Sequence, residues 1–425
     1  MKRILICCAM ALNVLLSACT PTSPAVEDMP ADVLPTVETA ARQTVADLAS
    51  GDYAAVTARF DKTMAESLPA DKLKEAWETT AGEAGSYAEI VSAESFMQEG
   101  YYICLVTTRH EIKGIVSRVV YGKDMQIAGL FFSYTENKSE LTETETTVTI
   151  GAEYPLYGVL ALPGGTNKVP AVVLVHGSGP NDKDQSVYGI KVFKDISDYL
   201  AANGVAVLRY DKRTYTHAAK LSSDITVEGE TIEDAILAGK LLTQNGRIDS
   251  TKIYVIGHSL GGMLAPRIVD ESSGVFAGAV IMAGSPRSLL DIIYDQNMYF
   301  ISLADESERD ALTKQVEDAK PYYGLPQGYI DEMDAHPASD YLTATDKPYM
   351  ILQGGRDFQV SPEKDFEAYK QFAGGKSNFE FRLYDNLNHL FTVSTMGSPT
   401  TDDYIAGTHV DNAPLEDIAE WIKAR

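Results

Sequence analysis

Cysteine is scarce in this chain. There are four, of which Cys7 and Cys8 lie in an apolar N-terminal run, Cys19 closes that run, and only Cys104 belongs to the body of the sequence. That set supports no disulfide framework, and Cys104, inside the strand-like run Tyr101 to Thr107, reads as a small core residue. Basic residues are also few, 36 Lys and Arg against 60 Asp and Glu, a formal net charge of −24. A surface of that sign repels phosphate backbones and anionic lipid, which excludes nucleic acid as a partner and adhesion to membranes through a basic patch. No cluster of His, Cys and carboxylates stands at ligand spacing, so no metal or organic cofactor is expected. No apolar run reaches the roughly 20 residues of a permanent membrane span. Neither the length nor any internal repeat would provide a propeller domain.

What the chain does have begins at its N-terminus. Lys2 and Arg3 precede the apolar run Ile4 to Leu16, a charged region followed by a short hydrophobic one, which predicts a secretory signal over residues 1–18. Its end, Leu16-Ser17-Ala18-Cys19, resembles the bacterial lipobox. The resemblance implies cleavage before Cys19 and lipidation of its thiol, so that an exported protein is anchored to the bacterial cell membrane through that lipid only. Residues 19–35, with Pro21, Pro24, Pro30 and Pro35, read as a tether.

Residues 36–140 read as a small α+β domain. Val37, Ala41, Val45 and Leu48 fall on one helical face, and Phe60, Met64 and Leu68 repeat the pattern. After Gly85 the chain turns strand-like, and the runs Tyr101 to His110, Ile112 to Tyr121 and Met125 to Tyr134 predict an antiparallel meander. With the phrase Arg59-Phe60-Asp61-Lys62-Thr63-Met64-Ala65, the region resembles the NTF2-like module found ahead of some secreted bacterial hydrolases. Two readings stay open: a sheet that binds a ligand or shapes the neighbouring site, and a filled spacer or dimerisation unit. The second is favoured, because no cluster of ionisable groups stands out. The polar stretch Glu136 to Thr147 reads as a linker, with the boundary near Leu141.

From residue 141 to 425 apolar strand-like runs alternate with helical ones. Alternation of this kind predicts an α/β fold, a mostly parallel sheet flanked by helices on both faces, with Thr147 to Ala161 adding an antiparallel pair at its edge. The key stretch is Lys252 to Gly262. Ile253 to Ile256 predict a buried strand, Gly257-His258-Ser259-Leu260-Gly261 a tight turn, and Gly262 to Ala265 the start of a helix, which is the setting of a nucleophile elbow. Gly257 and Gly261 are small because the turn leaves no room for side chains there.

Four segments in this order carry a family resemblance: His176-Gly177-Ser178-Gly179-Pro180-Asn181-Asp182, Leu208 to Arg213, Gly257 to Met263, and Leu387-Asn388-His389-Leu390-Phe391. They resemble the α/β-hydrolase fold and, more narrowly, secreted bacterial carboxylesterases of the EstD type. The resemblance implies a serine esterase acting on small-molecule acyl esters with short acyl chains. In this fold the catalytic order along the chain is Ser, acid, His. Ser259 is then the nucleophile and His389, on a short loop after the run Phe379 to Leu383, the base, with His409 as fallback. His258 reads as a packing residue, and His176 as a brace for its own loop. Asp357, directly after the strand Tyr349 to Leu352 and the turn Gly354-Gly355-Arg356, is the expected acid, ahead of Asp365.

Negative charge on the attacked ester needs fixed donors. The backbone N–H of Leu260 and that of Ser178, with Gly179 close behind, are the expected oxyanion hole. Asp211, Lys212 and Arg213, at the end of the strand Val205 to Arg209, leave two readings open, a structural ion pair, which is favoured, and a substrate contact on the rim of the fold. Residues 285–345 break the alternation and carry Tyr294, Tyr299, Phe300, Tyr322, Tyr323, Tyr329 and Tyr341, which predicts a cap whose aromatic residues either line a pocket or pack a core. Two rival readings remain: a serine peptidase of the oligopeptidase kind, and a non-catalytic surface binding protein.

Overall fold

The computed structural model describes residues 26–27, 29–30, 33–98, 100–110, 114–135, 141–222, 224–319, 322–405 and 407–425. The expected signal and Cys19 lie outside the described residues. Two compact units are drawn from Thr22–Glu140 and Leu141–Arg425.

In the first unit β1 (Val26–Glu27), β2 (Tyr87–Gln98), β3 (Tyr101–His110), β4 (Gly114–Tyr121) and β5 (Ile127–Thr135) form one antiparallel sheet in that order. The helix Leu34–Ser50 lies on it through the predicted face, Val37, Ala41, Val45 and Leu48, all wholly buried against residues such as Val106 and Val119. Cys104 is free and buried in the same core, where burial pushes its thiol pKa up. The tether expected over 19–35 is not structureless throughout. Val26 and Glu27 pair with Gln98 and Met97, Met29 is buried, and a helix starts at Leu34. Pro35 suits the first turn of that helix, where a missing N–H costs nothing, so a proline-rich segment reads equally well as a helix start.

The second unit is built on an eight-stranded sheet. Its strands are β6 (Glu145–Ile150), β7 (Leu156–Ala161), β8 (Val169–Val175), β11 (Ala206–Tyr210), β12 (Ile248–His258), β13 (Gly278–Met282), β14 (Tyr349–Gly354) and β15 (Phe379–Tyr384); a short hairpin, β9 (Ser186–Val187) with β10 (Ile190–Lys191), follows β8 outside it. The order is β15-β14-β13-β12-β8-β11-β7-β6, parallel as far as β11, then antiparallel at the β7 and β6 edge. This is the α/β-hydrolase arrangement. Side chains alternate between its two faces: Ala171, Val173 and Val175 of β8 enter one apolar core, Val172 and Leu174 the other. The strand order reverses at β8, which is flanked by β12 and β11, so the carboxyl ends of these strands open the crevice in which such sheets bind ligands.

Glu145 departs from its reading as linker. Its carboxylate lies 2.8 Å from Arg209, which also meets Asp184 at 2.8 Å, and all three side chains are buried. Arg209→Ala leaves two buried carboxylates without their cation, a loss of about 3–5 kcal/mol. A urea titration of the variant checks this; an unchanged midpoint would show that the pair contributes nothing net.

Between β13 and β14 the chain inserts the helices Leu289–Leu303, Glu306–Ala319, Gln327–Ala335 and Ala338–Ala344. The insertion is pinned to the sheet domain by Glu332 on Arg267 at 2.9 Å and by the Tyr329 hydroxyl donating to Glu230 at 2.7 Å. Tyr323 and Tyr329 are buried, and Tyr299 donates to the Pro399 carbonyl at 2.7 Å, so much of the aromatic content packs rather than binds.

Candidate active site

β12 ends at His258 and the helix Leu260–Glu271 starts two residues later. Ser259 joins them with φ 54°, a left-handed conformation that a non-glycine residue keeps only when its surroundings enforce it. The enforcement is visible: Ser259 N–H donates to the Met282 carbonyl at 2.9 Å, and the Ser259 carbonyl accepts from Met263 N–H at 3.0 Å. A Cβ on Gly257 would lie 2.2 Å from the Gly261 carbonyl oxygen, and one on Gly261 would lie 2.2 Å from that of Val175. Both glycines are therefore required by backbone packed against backbone.

His389, on the loop after β15, meets Asp357, on the turn after β14, through Nδ1 to Oδ2 at 2.8 Å. Oδ2 of Asp357 also accepts from Gln353 Nε2 at 2.9 Å, while Oδ1 accepts from the backbone N–H of Gln359 at 2.8 Å and of Val360 at 2.9 Å. The carboxylate acts only as an acceptor, so Nδ1 of His389 carries the proton and Nε2 keeps a lone pair. Ser259 and His389 line one cavity of about 740 Å³. Among the described residues no hydrogen bond joins the Ser259 hydroxyl to His389, a looseness common before substrate binds.

The turn after β8 crosses directly over the serine, since a Cβ on Gly177 would lie 3.2 Å from Ser259 Cβ. Its carbonyls are tied back. Asn181 Nδ2 donates to Gly177, Ser178 and Gly179 at 3.4, 3.1 and 3.0 Å, and Lys212 Nζ donates to Gly177 at 2.9 Å. The backbone N–H groups of Ser178 and Leu260 have no acceptor among the described residues, and both residues line the cavity. They are the two donors expected from the sequence, and Leu260 adds the positive end of its helix.

Asp211, Lys212 and Arg213 do form structural contacts. Asp211 accepts from Lys183 N–H at 2.7 Å, Lys212 lies 3.0 Å from Glu230, and Arg213 grips Asp234 through two nitrogens. Lys212 also has the second task just described, fixing the turn over the serine, which sequence reasoning missed. The fallback base His409 is 77% exposed in its side chain and pairs with Asp195 on the surface. Asp365 is engaged by Ser285 and Arg287, away from His389.

His176 and His258 are buried beside these groups. His176 Nε2 faces the Tyr210 carbonyl at 2.5 Å, bracing the turn, and His258 Nε2 faces the His389 carbonyl at 2.8 Å. Burial pushes the pKa of each down to about 3, from 6.5. Between those values the unfolded chain binds protons that the folded one refuses, so stability falls as pH drops from 6.5 towards 3, by up to about 1.4 kcal/mol per pH unit for each histidine. Asp211, raised to about 6 by burial, acts in the opposite direction over part of that range. The separable prediction is that His258→Gln flattens the acid limb of a stability–pH curve by one proton's share; an unaltered slope would mean that His258 is protonated in the fold.

The cavity is lined on the cap side by Leu289, Ile292, Ile293 and Phe300, and from the sheet domain by Phe358, whose ring lies 5.5 Å from that of Phe300, with Leu390 and Tyr404. Of the cap aromatics singled out in the sequence, Phe300 faces it. Asp402 is on the lining, and no Lys or Arg is, among the described residues.

Residues 41–130 match a family described as Protein of unknown function (DUF3887), and residues 197–405 match the Prolyl oligopeptidase family. Esterase EstD of Thermotoga maritima is 33% identical over 371 residues, which cover 84% of this chain and 88% of that one. Acylamino-acid-releasing enzyme 1 of Oryza sativa subsp. japonica is 21% identical over 228 residues, 52% of this chain and 28% of that one. Among solved structures, an esterase of Pyrococcus furiosus has a TM-score of 0.45 at 19% identity, over 66% of this chain and 90% of that one.

Proposed function

Since the chain belongs to the serine-hydrolase family of Esterase EstD, we propose that it is a carboxylesterase that cleaves short-chain acyl esters through Ser259, His389 and Asp357. The supporting observation is the His389–Asp357 hydrogen bond of 2.8 Å opening on the same cavity as a serine held at positive φ. In this reading Ser259 Oγ attacks the ester carbonyl while His389 Nε2 takes its proton. The N–H groups of Leu260 and Ser178 receive the developing oxyanion. His389 then protonates the departing alcohol, leaving an acyl group on Ser259, and a water activated by the same nitrogen releases the acid. The cap helix supplies apolar groups to the acyl pocket and keeps water from it. The match of residues 197–405 to the Prolyl oligopeptidase family supports a peptidase as the second reading.

Hydrolysis of p-nitrophenyl esters from acetate to decanoate, beside a peptide p-nitroanilide, tests the two. Ester turnover that peaks at short chains supports the esterase; turnover of the anilide alone replaces it with the peptidase. With Asp402 and no cation on the lining, the hemisuccinate ester is expected to react about 10-fold more slowly than the butyrate. The lipobox-like end at Cys19 supports export and anchoring by lipid, and resemblance supports an NTF2-like module ahead of the esterase. Release of the protein from membranes by Cys19→Ala checks the anchor.

A further inference from the structure

Gln185 lies in the segment between β8 and the helix Val192–Ala202, before the β9 hairpin. It is 2% exposed and has φ 47°, so a long polar side chain is buried from a left-handed backbone position. Such a position costs about 1–3 kcal/mol and persists only where its surroundings over-determine it. Its own N–H donates to the Asp182 carbonyl at 2.9 Å, closing a tight turn.

The amide of Gln185 meets Nδ1 of His258 at 2.6 Å, and Nε2 of His258 meets the backbone carbonyl of His389 at 2.8 Å. A carbonyl only accepts, so His258 Nε2 carries the proton, Nδ1 is an acceptor, and the Gln185 amide is its donor. The His258 ring also lies against that of His389, with centroids 4.8 Å apart. A hydrogen-bonded chain therefore runs from Gln185, through the residue before the nucleophile, to the backbone of the base. The same amide lies next to His176 of the turn over the serine, although neither Gln185 Oε1 nor His176 Nδ1 closes a hydrogen bond of ordinary geometry.

We propose that Gln185 is a positioning residue: by donating to Nδ1 of His258 it fixes the ring in the orientation in which Nε2–H holds the His389 backbone, and so places the base against Ser259. The proposal rests on the reading of Ser259, His389 and Asp357 as the reacting set. Without the donor, Nδ1 of His258 is a buried acceptor without a partner, a cost of about 1–3 kcal/mol. The ring relieves it by turning Nδ1 towards another donor, which draws Nε2–H away from the His389 carbonyl. A shift of about 1 Å in a reacting group is enough to lower the rate about 100-fold.

Two measurements test this. In the wild-type protein, NMR of 15N-labelled histidine is expected to show His258 as the neutral Nε2–H form; finding Nδ1–H or a charged ring overturns the proposal without need of any variant. In Gln185→Met, which keeps length but removes the donor, kcat on p-nitrophenyl butyrate is expected to fall about 10- to 100-fold with KM within about 3-fold. Labelling of Ser259 by a fluorophosphonate is expected to slow in parallel. An unchanged kcat, or a KM that rises while kcat holds, overturns the proposal. If Ser259→Ala keeps full activity the esterase reading itself fails; if it is inactive while Gln185→Met is not, only the role of Gln185 fails.

Discussion

Ser259→Ala is expected to lower kcat on p-nitrophenyl butyrate on the order of 10⁵-fold while leaving the fold in place. The size of the effect follows from what the residue does in the proposed reaction. Ser259 supplies the hydroxyl at the end of β12 beneath the turn after β8, and without Oγ there is no acyl-enzyme. The fold survives because the elbow is set by main-chain groups. The Ser259 N–H and carbonyl bonds to Met282 and Met263 do not involve the side chain, and the glycine contacts at 257 and 261 are unaffected. Alanine bears the positive φ about as well as serine does. Residual hydrolysis within 100-fold of wild type, in a variant with an unchanged melting temperature, would remove Ser259 from the mechanism.

Asp357→Asn is expected to cost about 10⁴-fold in kcat, with little change in KM. The hydrogen bonds around the carboxylate dictate the reason. Gln359 and Val360 N–H both donate to Oδ1, so an asparagine places its oxygen there and turns its NH₂ towards His389 and Gln353. The imidazole must then accept at Nδ1 and carry its proton on Nε2. A base in that tautomer has no lone pair for the serine proton. The Gln353 amide meets another donor as well, a further local cost of about 1–3 kcal/mol. Retention of more than a tenth of wild-type kcat would show that Asp357 does not choose the tautomer of the base.

How much of the molecule could be read beforehand depends on the distance over which each feature is encoded. The parallel sheet and its antiparallel edge were legible because hydrophobic period and element length are local properties. So was the elbow, whose strand, turn and helix are contiguous and whose glycines are required by backbone contacts within the motif and with the end of the neighbouring β8. Asp357 and His389 were legible as positions, because strand ends in this fold are ordered along the chain, and their hydrogen bond is the product of β14 and β15 lying side by side.

Only the tertiary structure decided the rest. Glu145 looked like one of several linker acids until the fold set it on Arg209, and Lys212 like a rim charge until its Nζ was seen on the Gly177 carbonyl. His258 looked like packing until its two nitrogens were seen between Gln185, 73 residues away in the chain, and His389, 131 residues away. Whether the cap aromatics lined the pocket or packed a core was equally undecided in composition; folding put Phe300 on the cavity and buried Tyr329 against Glu230. Sequence alone thus determined the framework and the chemistry it could carry, because apolar periodicity and turn sterics act within a few residues. The partners of buried polar groups are chosen by long-range geometry and desolvation, and these exist only once the chain has closed around them.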